Sequence, residues 1–530
     1  MNSTLNIATA QSGFYKGFNT IVAITPKIVM LGMVIWASAL PGQASATLLS
    51  IQKWSVGAFS AWYMYAAATF MLGTLSLALI PKTGAIKLGK ASDTPEFSNF
   101  SWFSMMFGAG LGIGMLTYST AEPIYHFAAN PDTILGTTQS LSENNVRAAY
   151  KWGIFHYAFT PWACYVVIGL SLAYFSYAKD LPLTIRSGLK PLFGNMVSGV
   201  FGHAVDIVAI LATIIGVGVT VGYGVSQFAS GLFNITGAAW MVDSSGVPSY
   251  AAQIMALTIV LLASTWSAMS GVKRGIKWLS NINMSLSFFL LAFFAVFGAL
   301  GFAAKHYVFA LWDYLINILP MSFTVWDNEV QPKLAQWQND WSVFYWAWWI
   351  AFAPFVGLFL ARVSKGRTVR EFVVGAMIVP SLTCLAWFTL VGGTAIDLEL
   401  NGSANGQILN ADISAQLFQT LNLLLSPGFA AAMSGVVVVL LLTYLITTVD
   451  SAILIVTTLA SAGDQSRKNT KHIIIWGMIF TLVVASLLAA GGMDALRSLM
   501  IVGALPFSFV IMLMLISLIK SLLKHPQETL

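Results

Sequence analysis

The sequence predicts an all-α membrane protein that crosses the bilayer twelve times, and two observations carry that prediction. First, 57% of the 530 residues are hydrophobic and only 9% are charged. A soluble domain carries about 25% charged residues because it must present a wet surface, so here lipid takes the place of water over most of the surface. Second, the basic residues alternate with the apolar runs as a polytopic chain requires. An apolar run of about 20 residues spans the hydrocarbon core as a helix, and a helix satisfies its own backbone hydrogen bonds there. Such runs fall at 22–41, 55–80, 99–127, 144–178, 198–232, 249–269, 278–304, 337–362, 370–394, 427–460, 471–491 and 494–523. None alternates as the strands of a membrane barrel would.

With the N-terminus placed in the cytoplasm, 20 of the 26 Lys and Arg residues fall on the inner side of these spans, as the positive-inside rule demands. Both termini are then cytoplasmic. The net charge of +6 is mostly this inner-face bias and gives no reason to expect a nucleic-acid partner. Residues 1–21 are mostly polar and the first apolar run is too long for a signal-peptide core, so no cleaved leader is expected. Cys164 and Cys384 sit inside apolar runs and read as packing residues rather than a disulfide.

Five segments follow: 1–98 with two leading helices, 99–304 with five spans, an outer amphipathic stretch at 305–336, 337–523 with five more spans, and a short tail at 524–530. The third span contains Gly108, Gly110, Gly112 and Gly114, and the eighth contains Pro354 and Gly357. Transporters built from inverted repeats place interrupted helices at matching positions of two halves. The expected architecture is therefore a LeuT-like 5+5 inverted repeat behind two extra helices.

The eighth span carries Trp341, Tyr345, Trp348, Trp349 and Phe352 at helical spacing. A quaternary ammonium has no hydrogen bond to donate, and the face of an aromatic ring is its natural partner. The fourth span offers Tyr157, Trp162 and Tyr165 around Pro161; Tyr157 lies off the face of the other two unless the proline bends the helix. In the tenth span Thr447 and Thr448 offer adjacent hydroxyls that suit Na⁺, unless they bond back to the preceding turn. Glu122, Asp206 and Asp450 are intramembrane acids, each a functional candidate or a buried pair. Thr220 to Gly224 spells a K⁺-filter string, but it occurs once inside a long apolar run, which disfavours a channel. No His, Cys or Asp cluster has metal or triad spacing, so neither an enzyme nor a resident cofactor is expected.

Gly110-Leu-Gly112-Ile-Gly114, Glu122-Pro123 and the run from Tyr345 to Gly375 closely resemble the betaine–choline–carnitine transporter family, over about residues 15–525. The resemblance implies uptake of an onium compound (glycine betaine, choline, carnitine or dimethylsulfoniopropionate) across a bacterial inner membrane, by a protein that assembles as a homotrimer. It implies an aromatic box of Trp346, Trp348, Trp349 and Phe352, with Trp349 capping the cation. Trp162 and Tyr165 match the fourth-span set, Tyr157 falls where several members have Trp, and Tyr125 matches a Tyr of the carnitine branch. Thr447 and Thr448, with Tyr444 and the backbone near Gly108 and Leu111, match a sodium site. Short tails predict no osmosensing through long charged termini. The fifth span has no Arg of the kind that replaces an ion in the antiporters, which favours Na⁺ or H⁺ coupling over substrate:product exchange.

Overall fold

The computed structural model describes residues 5–110, 112–270, 275–464 and 470–525. Those residues form helices, turns and loops, with three isolated β-bridges and no sheet. Ten helices among them are long and apolar enough to cross a membrane.

Two leading helices, α1 (Thr20–Ala39) and α2 (Pro41–Leu79), are separated by Leu40 alone. Asn19 starts α1 by accepting the amide of Val22, and Pro41 starts α2 at the position where a missing N–H costs nothing. At 39 residues α2 is longer than the 55–80 span expected, and at 1.5 Å per residue it exceeds the bilayer core. The third span is broken as its glycines predict, into α3 (Asn99–Gly110) and α4 (Ile113–Ala128).

The fourth span divides into α5 (Val146–Tyr157) and α6 (Phe159–Ala173) at Ala158. Pro161 has no amide to give the carbonyl four residues back, which is that of Tyr157. The indole of Trp162 donates to that carbonyl instead, at 3.2 Å. Then follow α7 (Val200–Thr236), α8 (Tyr250–Ser270) and α9 (Gly275–Phe297). The expected seventh span, 278–304, in fact ends at Phe297, and the amphipathic element expected from 305 begins earlier, as α10 (Leu300–Phe323). One side of α10 is fastened by the Asp313–Arg147 ion pair, while Val308, Trp312, Ile316 and Leu319 face outward.

A π-helical turn at Asn339–Val343 leads into α11 (Phe344–Val363). Contrary to expectation, Pro354 and Gly357 do not break α11. Gly357 instead serves close approach: a methyl group there would lie 2.6 Å from Ile168 and 3.1 Å from the amide of Gly169 on α6. Gly216 on α7 meets the backbone of Ala351 in the same way. These contacts draw α11 into the middle of the bundle, against α6 and α7.

The chain continues through α12 (Val369–Trp387), a π-helical turn at Phe388–Gly392, α13 (Gly393–Leu400), α14 (Gln416–Leu424), α15 (Pro427–Ala460) and α16 (Thr470–Leu523). Within α16, Gly491 and Gly492 leave helical geometry, the latter at φ 62°. That break falls where the sequence separates 471–491 from 494–523.

The glycine contacts yield a test. Gly357→Ala should destabilise the protein by about 1–3 kcal/mol through overpacking, lowering its melting temperature in detergent. Gly301→Ala, where nothing lies within 4 Å, should leave the melting temperature unchanged or raise it slightly.

Candidate substrate-binding site

The aromatic stripe of α11 is a ladder of rings. Tyr345 lies 5.7 Å from Trp349 and 6.1 Å from Trp348, with interplanar angles of 18° and 14°. Trp348 and Trp349 are nearly coplanar in orientation, 5° apart with centroids at 5.2 Å. The break at Ala158 turns Tyr157 towards this ladder, 5.3 Å from Trp349 at 77° and 5.2 Å from Tyr345. Tyr165 reaches Trp349 from α6 at 87°, and also touches Phe352. Rings at near right angles to Trp349 are the walls of a box rather than further steps of the stack. Trp162 supports the box from behind, against Tyr165 at 5.6 Å and under the Tyr157 carbonyl.

Two of the expected site residues stand elsewhere. Trp346 points to the other side of α11, where its indole reaches the sulfur of Met64 and its ring packs on Phe155. Tyr125 lies further out, against Trp341 at 5.8 Å.

The filter-like string occupies an unbroken stretch of α7, so it is no re-entrant loop. Its residues instead build the far wall: Thr220 accepts the Trp348 indole at 3.0 Å, and Tyr223 packs on Trp348 and Tyr118. Tyr118 does not stand out in the sequence, because a tyrosine in an apolar helix is ordinary core, and Tyr223 stands out there only as part of the filter-like string.

Beneath the ladder lies a fully buried polar cluster. The Glu122 carboxylate accepts the Tyr345 hydroxyl on one oxygen; on the other it meets His156 Nδ1 at 2.6 Å and His126 Nε2 at 3.2 Å. His156 Nε2 meets the Ser342 hydroxyl at 2.9 Å, and the Trp349 indole donates to the His156 carbonyl at 2.9 Å. No spacing rule gathers this cluster, since His156 comes from another helix; the local signal that could have found part of it is the i, i+4 spacing of Glu122 and His126. Glu122, His126 and His156 offer three ligand-type atoms within 4.8 Å of one another. Their separations are those of hydrogen bonds, so no metal is assigned to them.

Of the expected ion-site residues, Tyr444 touches the broken third span: its ring packs against Gly112, and its hydroxyl meets Ser287 at 2.9 Å. Thr447 does bond back to the preceding turn, while accepting the Asn283 amide at 3.1 Å. The Asn283 carbonyl oxygen is buried without a partner among the described residues. Gly108 ends in the last turns of α3, and Thr448 is half-buried one residue beyond Thr447; Leu111 lies outside the described residues. The donors on hand are oxygens, which suits a hard monovalent cation.

The other two intramembrane acids differ. Asp206 is ion-paired with Arg186 at 2.6 Å, both buried, while Asp450 accepts the Ser267 hydroxyl at 2.6 Å on one oxygen and has no partner for Oδ1 among the described residues.

Ten membrane-length helices among the described residues enclose an aromatic-walled interior and buried polar clusters, which is the frame of a multi-pass membrane protein with an internal binding site. Comparison with known proteins assigns it more closely. The model of the BCCT family, the betaine/carnitine/choline family transporters, matches residues 21–527. The chain belongs to that family, and it is a transporter rather than an enzyme. It is 35% identical to the glycine betaine transporter OpuD of Bacillus subtilis, over 96% of this chain and 95% of the relative. It is 34% identical to the osmo-independent choline transporter BetT1 of Acinetobacter baylyi, covering 95% of each. It is 36% identical to glycine betaine transporter 1 of Vibrio parahaemolyticus, over 94% and 93%.

The bent fourth span has its own test. Trp162→Phe keeps a ring against Tyr165 but strands the Tyr157 carbonyl. An unsatisfied buried acceptor costs about 1–3 kcal/mol. The variant should melt lower than the parent, and further restoration of helix at Pro161→Ala should recover part of that loss in the double variant.

Proposed function

We propose that the protein imports an onium compound by alternating access, with the cation held against Trp349, Trp348, Tyr345, Tyr157 and Tyr165. The observation that carries this reading is Trp349 walled by two tyrosines at near right angles, deep in the bundle. Glycine betaine and choline, the cargo in the relatives' names, both bear a quaternary ammonium. Carnitine, and the sulfonium dimethylsulfoniopropionate, present the same diffuse charge to a ring.

Twelve crossings follow if the ten long helices are taken with the broken third span and with α16 counted as two. The proposal places both termini in the cytoplasm of a bacterial inner-membrane protein, with two helices preceding two five-span repeats, and assembles three copies. Ion-coupled uptake, by Na⁺ or H⁺, is part of the same reading. Sodium is favoured by the oxygen donors around Thr447 and the unpartnered oxygen of Asn283. The half-buried Thr448 hydroxyl would complete that set.

Trp349→Leu keeps apolar volume but removes the ring face. A desolvated cation–π contact contributes about 2 kcal/mol, so the Kd for choline or glycine betaine should rise roughly 30-fold in calorimetric titrations of purified protein. Near-parental affinity would remove the box. In the same titrations Thr448→Ala should abolish any dependence of affinity on Na⁺ while sparing binding itself; an unchanged Na⁺ dependence would place the ion elsewhere.

A further inference from the structure

Ring faces alone suffice to hold an onium cation, yet the box is wired to a buried carboxylate. Tyr345 and Trp349 each use their polar atom on the cluster beneath: Tyr345 on the Glu122 carboxylate, Trp349 on the carbonyl of His156. Tyr157 joins through its hydroxyl, 3.4 Å from that of Tyr345. Glu122, His126, His156 and Ser342 are completely buried. A polar group with no access to water is costly unless it is satisfied, and an intramembrane acid with ordered partners is a functional site by default.

Around Glu122 and His156, the turn that supplies Ser342 also carries Asp340, beside Arg497 of α16, which also acts on Tyr118. On α5, Arg147 and Lys151 are paired with Asp313 and Asp132. His126 and Tyr118 lie on α4 itself, Tyr157 on α5, Tyr345 on α11 and Tyr223 on α7. The turn at Phe388–Gly392 brings apolar side chains and Thr389, and α14 brings no charge. On α13, Glu399 is engaged by the amides of Gly406, Ile408 and Leu409, leaving Asp397 as the other acid. Among the described residues no Lys or Arg is paired with Glu122, and its ion-pair partners are the two histidines.

We propose that the Glu122–His156 pair is a proton-binding site, coupled with opposite sign to the onium cation; this rests on the onium reading above. Without the extra proton, the carboxylate accepts from Tyr345 and from His156 Nδ1–H, and Ser342 donates to Nε2. The cluster then carries one negative charge. A proton taken from bulk water forms an N–H bond at Nε2, Ser342 turns its hydroxyl to accept, and the cluster becomes neutral. Carboxylate and imidazole share a hydrogen bond, so the proton is bound by the pair and not by either residue alone. An onium cation against Tyr345 and Trp349 sits in the field of this charge, across a few ångströms of low-dielectric interior. Removing the charge weakens cation binding on the order of tenfold, so cation and proton compete. Acidification lowers onium affinity, and onium binding expels a proton to solution, so this proton is not one carried inward with the cation, and the coupling ion of uptake is bound elsewhere.

Two measurements on the full chain in lipid nanodiscs test this. The first needs no ligand: infrared difference spectra across a pH titration of the parent protein and of Glu122→Gln. A titrating carboxyl or imidazolium signal present in the parent and lost in Glu122→Gln supports the proton site, and identical spectra overturn it. The second titrates choline calorimetrically at several pH values, in buffers of different ionisation enthalpy, and needs no variant. The expected result is a Kd that rises about tenfold on acidification, with a binding heat that depends on buffer because a proton is released. Choline that binds with a pH-independent Kd and buffer-independent heat overturns the coupling and leaves the onium reading standing. A proton site that titrates in a protein binding no choline or glycine betaine at any pH overturns the onium reading, and the coupling with it.

Discussion

A carboxyl group buried completely within a helical bundle must be met by hydrogen-bond donors, and in this protein the answer to Glu122 organises everything around it. Its partners come from three elements: His126 from its own helix, His156 from α5, and Tyr345 from α11. The same residues hold the walls of the aromatic box in register. Tyr345 is a step of the ring ladder, and the backbone of His156 anchors the indole of Trp349. Polar satisfaction and ring geometry are thus one constraint. Both Glu122 oxygens are engaged by these partners, while His126 Nδ1 is buried with no hydrogen-bond partner among the described residues.

Close packing allows the cluster to form. Gly169 and Gly357 let α6 and α11 touch at backbone distance, and Gly216 does the same between α7 and α11. Without a hydrophobic driving force between helices in lipid, small residues at such contacts supply the van der Waals attraction that holds a bundle together. The break at Ala158 adds the remaining piece. Pro161 frees the Tyr157 carbonyl, Trp162 takes it up, and Tyr157 is left facing Trp349.

Much of this was legible in the chain. Helix existence, the broken third span and the break at Gly491–Gly492 followed from apolar runs and glycine placement, because those signals are local. The face shared by Tyr345, Trp348 and Trp349 followed from helical period. What was illegible depends on the relative rotation of helices far apart in sequence. Trp346 belongs to the same aromatic run yet turns to Met64. Pro354 looked like a break and is accommodated within a continuous helix. His156, Thr220 and Tyr223 enter the site only because α5 and α7 present those faces, and no spacing rule within one helix records that. The filter-like string illustrates the point: its threonine and tyrosine matter as props for Trp348, not as a motif.

The central claim is that an onium cation rests on the ring faces of α11 and α5. It is tested most directly by a structure of the protein with choline or glycine betaine bound. The account predicts the quaternary nitrogen within about 6 Å of the ring centroids of Trp349 and Tyr157, above the Glu122–His156 pair. A cation seated away from these rings, for instance against Tyr125 and Trp341, would contradict it.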